Sequence, residues 1–207
     1  MRPPTTYSPR HPVFRLGLGG GLLVAAGAVA RRGRVGPTEE AAFRAVNGLP
    51  DALAAPVWVV MQAGNLVAVP AAAVVAAATG HPDAARRMAA AGAGTWTLAK
   101  VVKGCVRRSR PARLLAGARE RGRPQSGDGF ASGHAGVAFA LCTAALPELT
   151  GRGRRRALAT AAAVAASRLY VGAHLPLDVV GGAALGVFVE AAVELAMAEA
   201  PRHRRGR

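Results

Sequence analysis

Aromatic side chains are scarce in this chain, at 4% of 207 residues, and lysine is nearly absent. Lys100 and Lys103 are the only lysines among 27 basic residues, and with 11 acidic residues the formal net charge is +16. A basic protein without aromatic residues among its cations lacks the stacking platforms that bind single-stranded nucleic acid. Because the cations also fall in short clusters between apolar stretches, the sequence predicts no nucleic-acid partner.

Cysteine is as rare as lysine. Cys105 and Cys142 are far apart in the sequence and form no close-spaced metal-binding or redox motif. Both are therefore interpreted as free thiols in or near helices.

Long apolar runs of Ala, Val, Leu and Gly are abundant, and hydrophobic residues make up 51% of the chain. Small residues let helices pack closely in a bilayer, where van der Waals contact replaces the hydrophobic driving force. Basic clusters between such runs are typical of segments that flank membrane spans. Several runs are short for a bilayer and would also suit a large soluble bundle, but their lack of polar faces favours a membrane protein.

The order of these runs predicts an all-α, integral-membrane bundle of about six apolar helices. Residues 1–15 are predicted to be a basic disordered segment, 16–37 a first apolar helix and basic connection, 38–197 the membrane domain and 198–207 a basic tail. A helical pattern of polar and apolar residues after Thr38 predicts an amphipathic helix on the membrane surface. The apolar helices are predicted at 16–30, 65–79, 86–103, 132–146, 156–170 and 176–197.

The first polar group inside this apolar sequence runs from Lys103 to Arg110 and Pro111. A spacing of seven residues is about two helical turns, so a continuing helix would direct Lys103 and Arg110 to the same side. Pro111 would end that helix. Such a pair alone is more typical of an interfacial anchor than of a binding site.

A second group, Ser132-Gly133-His134, opens the apolar run at 132–146. Ser132 is a favoured N-cap, and Gly133 would let a ligand approach the backbone. The free amides of a helix start form an anion site that the helix dipole strengthens. Ser-Gly helix starts are common, however, so this group does not by itself indicate a function.

The third group contains Arg168, His174 and Asp178 and is the most specific of the three. Pro176 suits the first turn of a helix, which would place His174 at its edge and Asp178 one turn inside. An ionisable Asp in an apolar span is costly to bury and is normally paired and functional. The spacing therefore predicts an imidazole that a carboxylate orients.

In their order and internal spacing, the three groups resemble the motifs of the type-2 phosphatidic acid phosphatase, or lipid phosphate phosphatase, superfamily. Those motifs read K-x6-R-P, P-S-G-H and S-R-x5-H-x3-D. The residues that match are Lys103, Arg110, Pro111, Ser132, Gly133, His134, Ser167, Arg168, His174 and Asp178. One position departs from the pattern, where Ala131 replaces the proline of the second motif without removing a reacting atom.

This resemblance implies a metal-independent phosphatase that needs no cofactor and forms a phosphohistidine. His174 would be the nucleophile, Asp178 its orienting partner and His134 the general acid for the leaving group. The phosphoryl oxygens would be held by Lys103, Arg110, Ser132, Gly133 and Arg168. Three fixed cations would supply the charge stabilisation that a metal provides elsewhere.

The apolar spans point to a phosphorylated membrane lipid as substrate, such as an isoprenoid diphosphate, phosphatidic acid or phosphatidylglycerol phosphate. The expected location is the cell membrane, with several passes and the active site facing outward, although the basic residues divide almost evenly between the two sides. The sequence predicts no particular oligomeric state. Three alternatives stay open: a relative of soluble acid phosphatases or vanadate haloperoxidases, a catalytically silent lipid-binding membrane protein, and a zinc hydrolase that uses His134, His174 and Asp178.

Overall fold

The structure is a computed structural model that describes residues 11–204, with side chains described as far as residue 199. Within this part the regular secondary structure is entirely helical, as predicted. The helices are α1 (Pro12–Ala30), α2 (Pro37–Asn47), α3 (Ala54–Met61), α4 (Ala68–Ala78), α5 (Pro82–Val106), α6 (Pro111–Leu114), α7 (Gly133–Ala145), α8 (Gly151–Tyr170) and α9 (Pro176–Arg204). Residues 1–10 of the predicted basic segment and residues 205–207 of the predicted tail lie outside the described residues.

Proline marks the start of several helices. It occupies the first position of α1, α2, α5, α6 and α9, where its missing N–H has no helical partner to lose. α1 therefore begins at Pro12 rather than at residue 16, and α9 continues to Arg204, beyond the predicted end at residue 197. α5 and α8 also begin earlier than predicted, at Pro82 and Gly151, so that the arginines at 152, 154 and 155, which were expected in a connection, lie inside α8.

The described chain crosses the bundle six times between two ends. We name the end that holds Lys103, Ser132 and His174 the motif end, and the end that holds Arg87 and Glu148 the far end. α1, α5 and α8 run towards the motif end, whereas α7 and α9 run away from it. The remaining crossing is the segment 51–78, in which α3 and α4 meet at a bend of 69°.

Two of the crossings, Pro12–Ala30 and Pro176–Glu199, are long and apolar enough to span a membrane by length and composition. The bent pair of α3 and α4 is a third if it counts as one span. α7 has only 13 residues. The sequences of α5 and α8 are interrupted by basic residues. The six predicted helices are thus present in order, but only some of them have the apolar length of a complete span.

α7 lies at the centre of the bundle, with ten of its 13 residues buried. It packs against α5, α8 and α9. The contact with α9 is made between backbones, because a Cβ on Gly186 would overlap the carbonyl oxygen of Gly136 and one on Gly182 would overlap that of Ser132. Glycine at these positions permits the close approach that fixes the start of α7 against the start of α9.

Replacing Gly186 with alanine is therefore expected to destabilise the protein, because the new Cβ would push α9 away from α7. Overpacking of this kind costs about 1–3 kcal/mol. The matched control is Gly104→Ala in α5, where among the described residues no atom other than those of the adjacent helix backbone lies within 4 Å of the added Cβ. Thermal unfolding in detergent should give a lower midpoint for Gly186→Ala and an unchanged or higher one for Gly104→Ala, and equal midpoints for the two would contradict this contact.

The amphipathic helix α2 lies across the motif end, in agreement with the predicted pattern. Phe43 is fully buried and packs with Leu115 and Leu175. The amide nitrogen of Asn47 donates to the backbone oxygens of Arg119, Leu169 and Tyr170 at 2.9–3.1 Å. Polar as well as apolar side chains of α2 therefore bind the loops that carry the motifs.

Candidate active site

The three motif groups meet at helix termini on one end of the bundle. Lys103 lies in the last turn of α5, Ser132 caps α7, and His174 lies just before α9. Backbone hydrogen bonds connect the groups, since the Ser132 N–H donates to the Asp178 carbonyl oxygen at 2.8 Å. Arg110 Nη1 donates to the carbonyl oxygen next to His174, that of Ala173, at 2.7 Å. Residues far apart in the sequence thus form one buried cluster.

His174 and Asp178 face each other inside this cluster. The distance between His174 Nδ1 and Asp178 Oδ2 is 3.7 Å, and the side chains are 4% and 0% exposed. This is longer than a hydrogen bond, and hydrogen bonds at catalytic sites commonly tighten only when substrate binds. The same Oδ2 accepts the Leu175 N–H at 2.8 Å, so that the carboxylate is held beside the imidazole.

The surroundings of His174 favour its neutral form. Burial lowers the pKa of His174 to about 3, and the nearby positive charges of Lys103 and Arg168 act in the same direction against the raising effect of Asp178. A neutral imidazole has the free electron pair that a nucleophile needs. His174 is therefore in a protonation state in which it could act as a nucleophile at neutral pH.

Three cations line the cluster without carboxylate partners. Among residues 11–199, none of Lys103, Arg110 and Arg168 forms a salt bridge with an acidic side chain. Lys103 Nζ donates to the carbonyl oxygen of Gly129 at 2.9 Å, and Arg110 Nε donates to that of Gly127 at 3.0 Å. Their positive charges are oriented by backbone oxygens and remain available to an anion.

Arg168 is the most buried of the three cations, at 4% exposed. Its Nη1 lies 2.6 Å from the sulfur of Met61 on α3, and its buried Nε has no hydrogen-bond partner among the described residues. A buried guanidinium N–H with no acceptor is costly. An oxyanion placed beside it would remove that cost.

The start of α7 supplies the remaining predicted residues. Ser132 Oγ accepts the Ala135 N–H at 3.5 Å, which is the N-cap that the sequence predicted. The ring of His134 lies edge-on to Trp96, with centroids 6.1 Å apart. The positive charges of Lys103 and Arg168 lie near this ring and interact with it electrostatically. The structure therefore brings every predicted site residue to the motif end: Lys103, Arg110, Ser132, Gly133, His134, Arg168, His174 and Asp178.

Sequence reasoning missed two charged residues of this cluster, Arg108 and Glu39. The Arg108 side chain is completely buried and contacts Asp178 Oδ1 at 3.1 Å and Glu39 Oε2 at 2.7 Å. Available signals were further arginines within the first motif, besides Arg110, and an acidic residue in the first turn of the amphipathic helix. Neither signal is specific without the burial that only the structure gives.

A cavity of about 430 Å³ adjoins the cluster beside Arg168. One wall is the apolar face of α3, and the opposite wall is the polar loop between α6 and α7. The residues that line it are Ala54, Ala55, Trp58, Met61, Glu120, Arg121, Gly122, Arg123, Gln125, Arg168, Tyr170, Val171, Gly172 and Ala173. A cavity with one apolar and one cationic wall suits an amphiphile with an anionic head.

Comparison with known proteins gives a consistent assignment. The family model described as the PAP2 superfamily matches residues 85–201, which include all three motifs. The crystal structure of LpxE from Aquifex aeolicus is similar with a TM-score of 0.67 and 21% identity, over 74% of this chain and 92% of LpxE. That of the first transmembrane PAP2 type phosphatidylglycerolphosphate phosphatase from Bacillus subtilis is similar with a TM-score of 0.64 and 20% identity, over 88% of this chain and 97% of that protein. Among curated protein sequences, none matches the chain.

Proposed function

Because the chain belongs to the PAP2 superfamily and is a membrane protein with the fold of two solved relatives, we propose that it removes phosphate from lipid phosphates or diphosphates. The observation that carries the proposal is the buried pair of His174 and Asp178 beside three cations that form no salt bridge within residues 11–199. A nucleophile with an orienting carboxylate and a cationic surround is the arrangement that phosphoryl transfer through histidine requires.

In the proposed reaction, Nε2 of His174 attacks phosphorus while Asp178 Oδ2 holds the proton on Nδ1. The N–P bond forms as the bond between phosphorus and the leaving oxygen breaks, and His134 donates a proton to that oxygen. Water then attacks the phosphohistidine as His134 takes back a proton. Inorganic phosphate leaves, and His174 returns to its neutral form.

The phosphoryl group is proposed to be stabilised during transfer by hydrogen-bond donors that are fixed in the site. The charge of the phosphoryl group is spread over three equatorial oxygens, which need positive charge placed around them in advance. Lys103 and Arg168 are close enough to His174 for their charges to lower its pKa, and Arg110 is held at the neighbouring carbonyl oxygen of Ala173. The amides at the start of α7 add further donors. Of the residues that the structure describes, no three His, Cys, Asp or Glu side chains are grouped closely enough to hold a metal ion.

The lipid part of the substrate is proposed to lie along α3. Trp58 and Val59 on this helix are 60% and 65% exposed, and Trp58 also lines the cavity that ends at Arg168. An acyl or isoprenoid chain on this apolar wall would place its phosphate next to the cations. The phosphatidylglycerolphosphate phosphatase among the structural relatives supports a lipid phosphate as substrate, and isoprenoid diphosphate and phosphatidic acid are further candidates.

Purified protein in detergent is expected to release inorganic phosphate from at least one member of a panel of lipid phosphates and diphosphates, with chelator present. Activity should survive chelator because three cations take the place of a metal. Vanadate should inhibit, since it imitates the five-coordinate phosphoryl group. Activity that disappears in chelator and returns with zinc would favour the zinc hydrolase, and an absence of release from the whole panel would favour a silent lipid-binding protein.

The active site is proposed to face the outside of the cell membrane. The far end carries the basic clusters at Arg86, Arg87 and 152–156, which are hard to translocate and mark the cytoplasmic side. In a background without Cys105 and Cys142, a cysteine at exposed Ala112 should react with an impermeant thiol reagent on intact cells, and one at exposed Arg152 should not. The reverse pattern would place the active site in the cytoplasm.

A further inference from the structure

Arg108 is the largest side chain that is fully buried in the described part of the chain, and no motif position accounts for it. A buried guanidinium is strongly destabilising unless carboxylates and hydrogen-bond acceptors surround it. Arg108 has two such carboxylates, Asp178 from α9 and Glu39 from α2. Because burying the Arg108 guanidinium costs free energy, its contacts with Asp178 and Glu39 indicate that Arg108 has a specific role in the protein.

Arg108 binds both oxygens of Glu39 but only one oxygen of Asp178. Glu39 binds the guanidinium through both oxygens, with Oε1 at 2.9 Å from Nη1 and Oε2 at 2.7 Å from Nη2. Asp178 uses only Oδ1, which accepts from Nη1 at 3.1 Å. The other oxygen of Asp178, Oδ2, is thereby left to the Leu175 N–H and to the imidazole of His174.

Glu39 also fastens α2 to the start of α9. Its Oε1 accepts the Leu177 N–H at 3.0 Å, one residue before Asp178. The free N–H groups in the first turn of a helix are natural partners for a carboxylate. One acidic side chain therefore fixes both the guanidinium of Arg108 and the backbone that carries Asp178.

From these contacts we propose that Arg108 and Glu39 are positioning residues for phosphoryl transfer. This proposal rests on the proposed function. Arg108 holds the Asp178 carboxylate with Oδ2 turned to His174, and Glu39 holds Arg108. Neither residue contacts the substrate in this account. With two carboxylates and one guanidinium, the group keeps a net negative charge next to His174, which favours the cationic character that the imidazole gains as the N–P bond forms.

The first test uses charge-neutralising variants with a neighbour of each as control. Arg108→Gln and Glu39→Gln are compared with Arg107→Gln and Glu40→Gln, which change an exposed side chain and a half-buried one in a salt bridge with Arg44. Removing a partner that orients a functional group typically lowers activity about 10–100-fold. We expect kcat to fall by this factor in Arg108→Gln and in Glu39→Gln, with KM almost unchanged. Both controls should stay near wild type. A rise in KM with kcat unchanged would show contact with substrate and would overturn the proposal.

The double variant Glu39→Gln/Arg108→Gln tests whether the two residues act in series. Since Glu39 acts through Arg108, the double variant is expected to be no slower than Arg108→Gln alone. Residues that act independently would instead give multiplied losses, which would overturn the proposal. If Arg108→Gln does not fold, Glu39→Gln against Glu40→Gln carries the kinetic test.

A further measurement needs no turnover, and so it separates failure of this proposal from failure of the proposed function. The pKa of His174 is followed by NMR of protein labelled at histidine, with the signal assigned by its loss in His174→Ala. The charged groups around His174 are Asp178 from α9, Lys103 from α5 and Arg168 from α8, with Arg108 behind Asp178.

Arg108→Gln should raise the pKa of His174, because the Asp178 carboxylate then loses the guanidinium that pairs with its Oδ1. Glu39→Gln should lower that pKa, because Arg108 then neutralises Asp178 more completely. If the two variants shift the pKa of His174 in opposite directions, the result supports the proposal that Glu39 acts on Asp178 through Arg108. This holds even for a protein that hydrolyses none of the lipids supplied. Shifts of the same sign, or none, would reduce Arg108 and Glu39 to a structural tie between α2 and α9 and would overturn the proposal.

Discussion

His174→Ala is expected to abolish turnover of lipid phosphate, with a loss of at least about 10⁴-fold, because His174 supplies the nitrogen that forms the proposed covalent intermediate. At 1.36 kcal/mol for each factor of ten, this corresponds to roughly 5.5 kcal/mol in the barrier. Release of phosphate from the preferred lipid, measured on purified protein in detergent, gives the rate.

The matched control for this variant is His81→Ala. His81 lies at the far end, 3.1 Å from Glu148, with 43% of its side chain exposed. Its replacement removes an imidazole without touching the motif end, and so turnover should stay near the wild-type rate. Near wild-type turnover by His174→Ala in a clean preparation would contradict the assignment of the nucleophile.

Asp178→Asn is the second substitution with a large expected effect. An amide in place of the carboxylate would no longer select the proton on Nδ1 of His174, and the corresponding change in a Ser-His-Asp triad costs about 10⁴-fold. A reduction of kcat by at least about 100-fold is expected, since the orienting group acts through His174 rather than on phosphorus. Glu39 still pairs with Arg108 in this variant, so the protein should remain folded.

The control for this substitution is Asp83→Asn, which alters a carboxylate whose side chain is 78% exposed at the far end. Both variants lose one negative charge, and only Asp178→Asn changes the site. Equal kcat values for the two variants, with equal unfolding midpoints, would contradict the role assigned to Asp178.

Much of the candidate site could be predicted from the sequence because its chemistry is local to three short segments. The spacing of His174, Pro176 and Asp178 indicated a helix start with a carboxylate one turn inside; α9 does begin at Pro176, with His174 just before it, and Asp178 lies in its first turn. Ser132 was predicted as an N-cap from its residue type and position, and it caps α7. Such features depend on backbone geometry within a few residues.

The contacts that support the site could not be predicted, because they join segments far apart in the chain. Glu39 and Arg108 meet across 69 positions, and the amphipathic pattern of α2 indicated only a helix with two faces. The contact of Arg168 with Met61 likewise depends on how α3 packs against α8. Tertiary packing determines these partners, and no local pattern records it.

The membrane-spanning lengths were also only partly predictable. Composition located the six crossings, but the surroundings of α7 explain why 13 residues are enough there: α5, α8 and α9 cover it, so that little of it needs to face lipid. α1 is long and apolar enough to span a membrane and packs along α9, where Arg15 pairs with buried Glu190. A buried charge pair between two spans is costly unless both partners are held in place, which indicates that α1 is an integral part of the bundle.

Direct detection of the covalent intermediate tests the central claim most sharply. Enzyme mixed with a lipid phosphate labelled with ³²P in the transferred group, with chelator present, is quenched within one turnover into alkali, in which phosphohistidine survives. The account predicts radioactive protein whose label is lost in acid, maps to the peptide that contains His174 and is missing from His174→Ala. Turnover of the same lipid by the wild-type enzyme with no labelled protein at any quench time, or label on another residue, would contradict it.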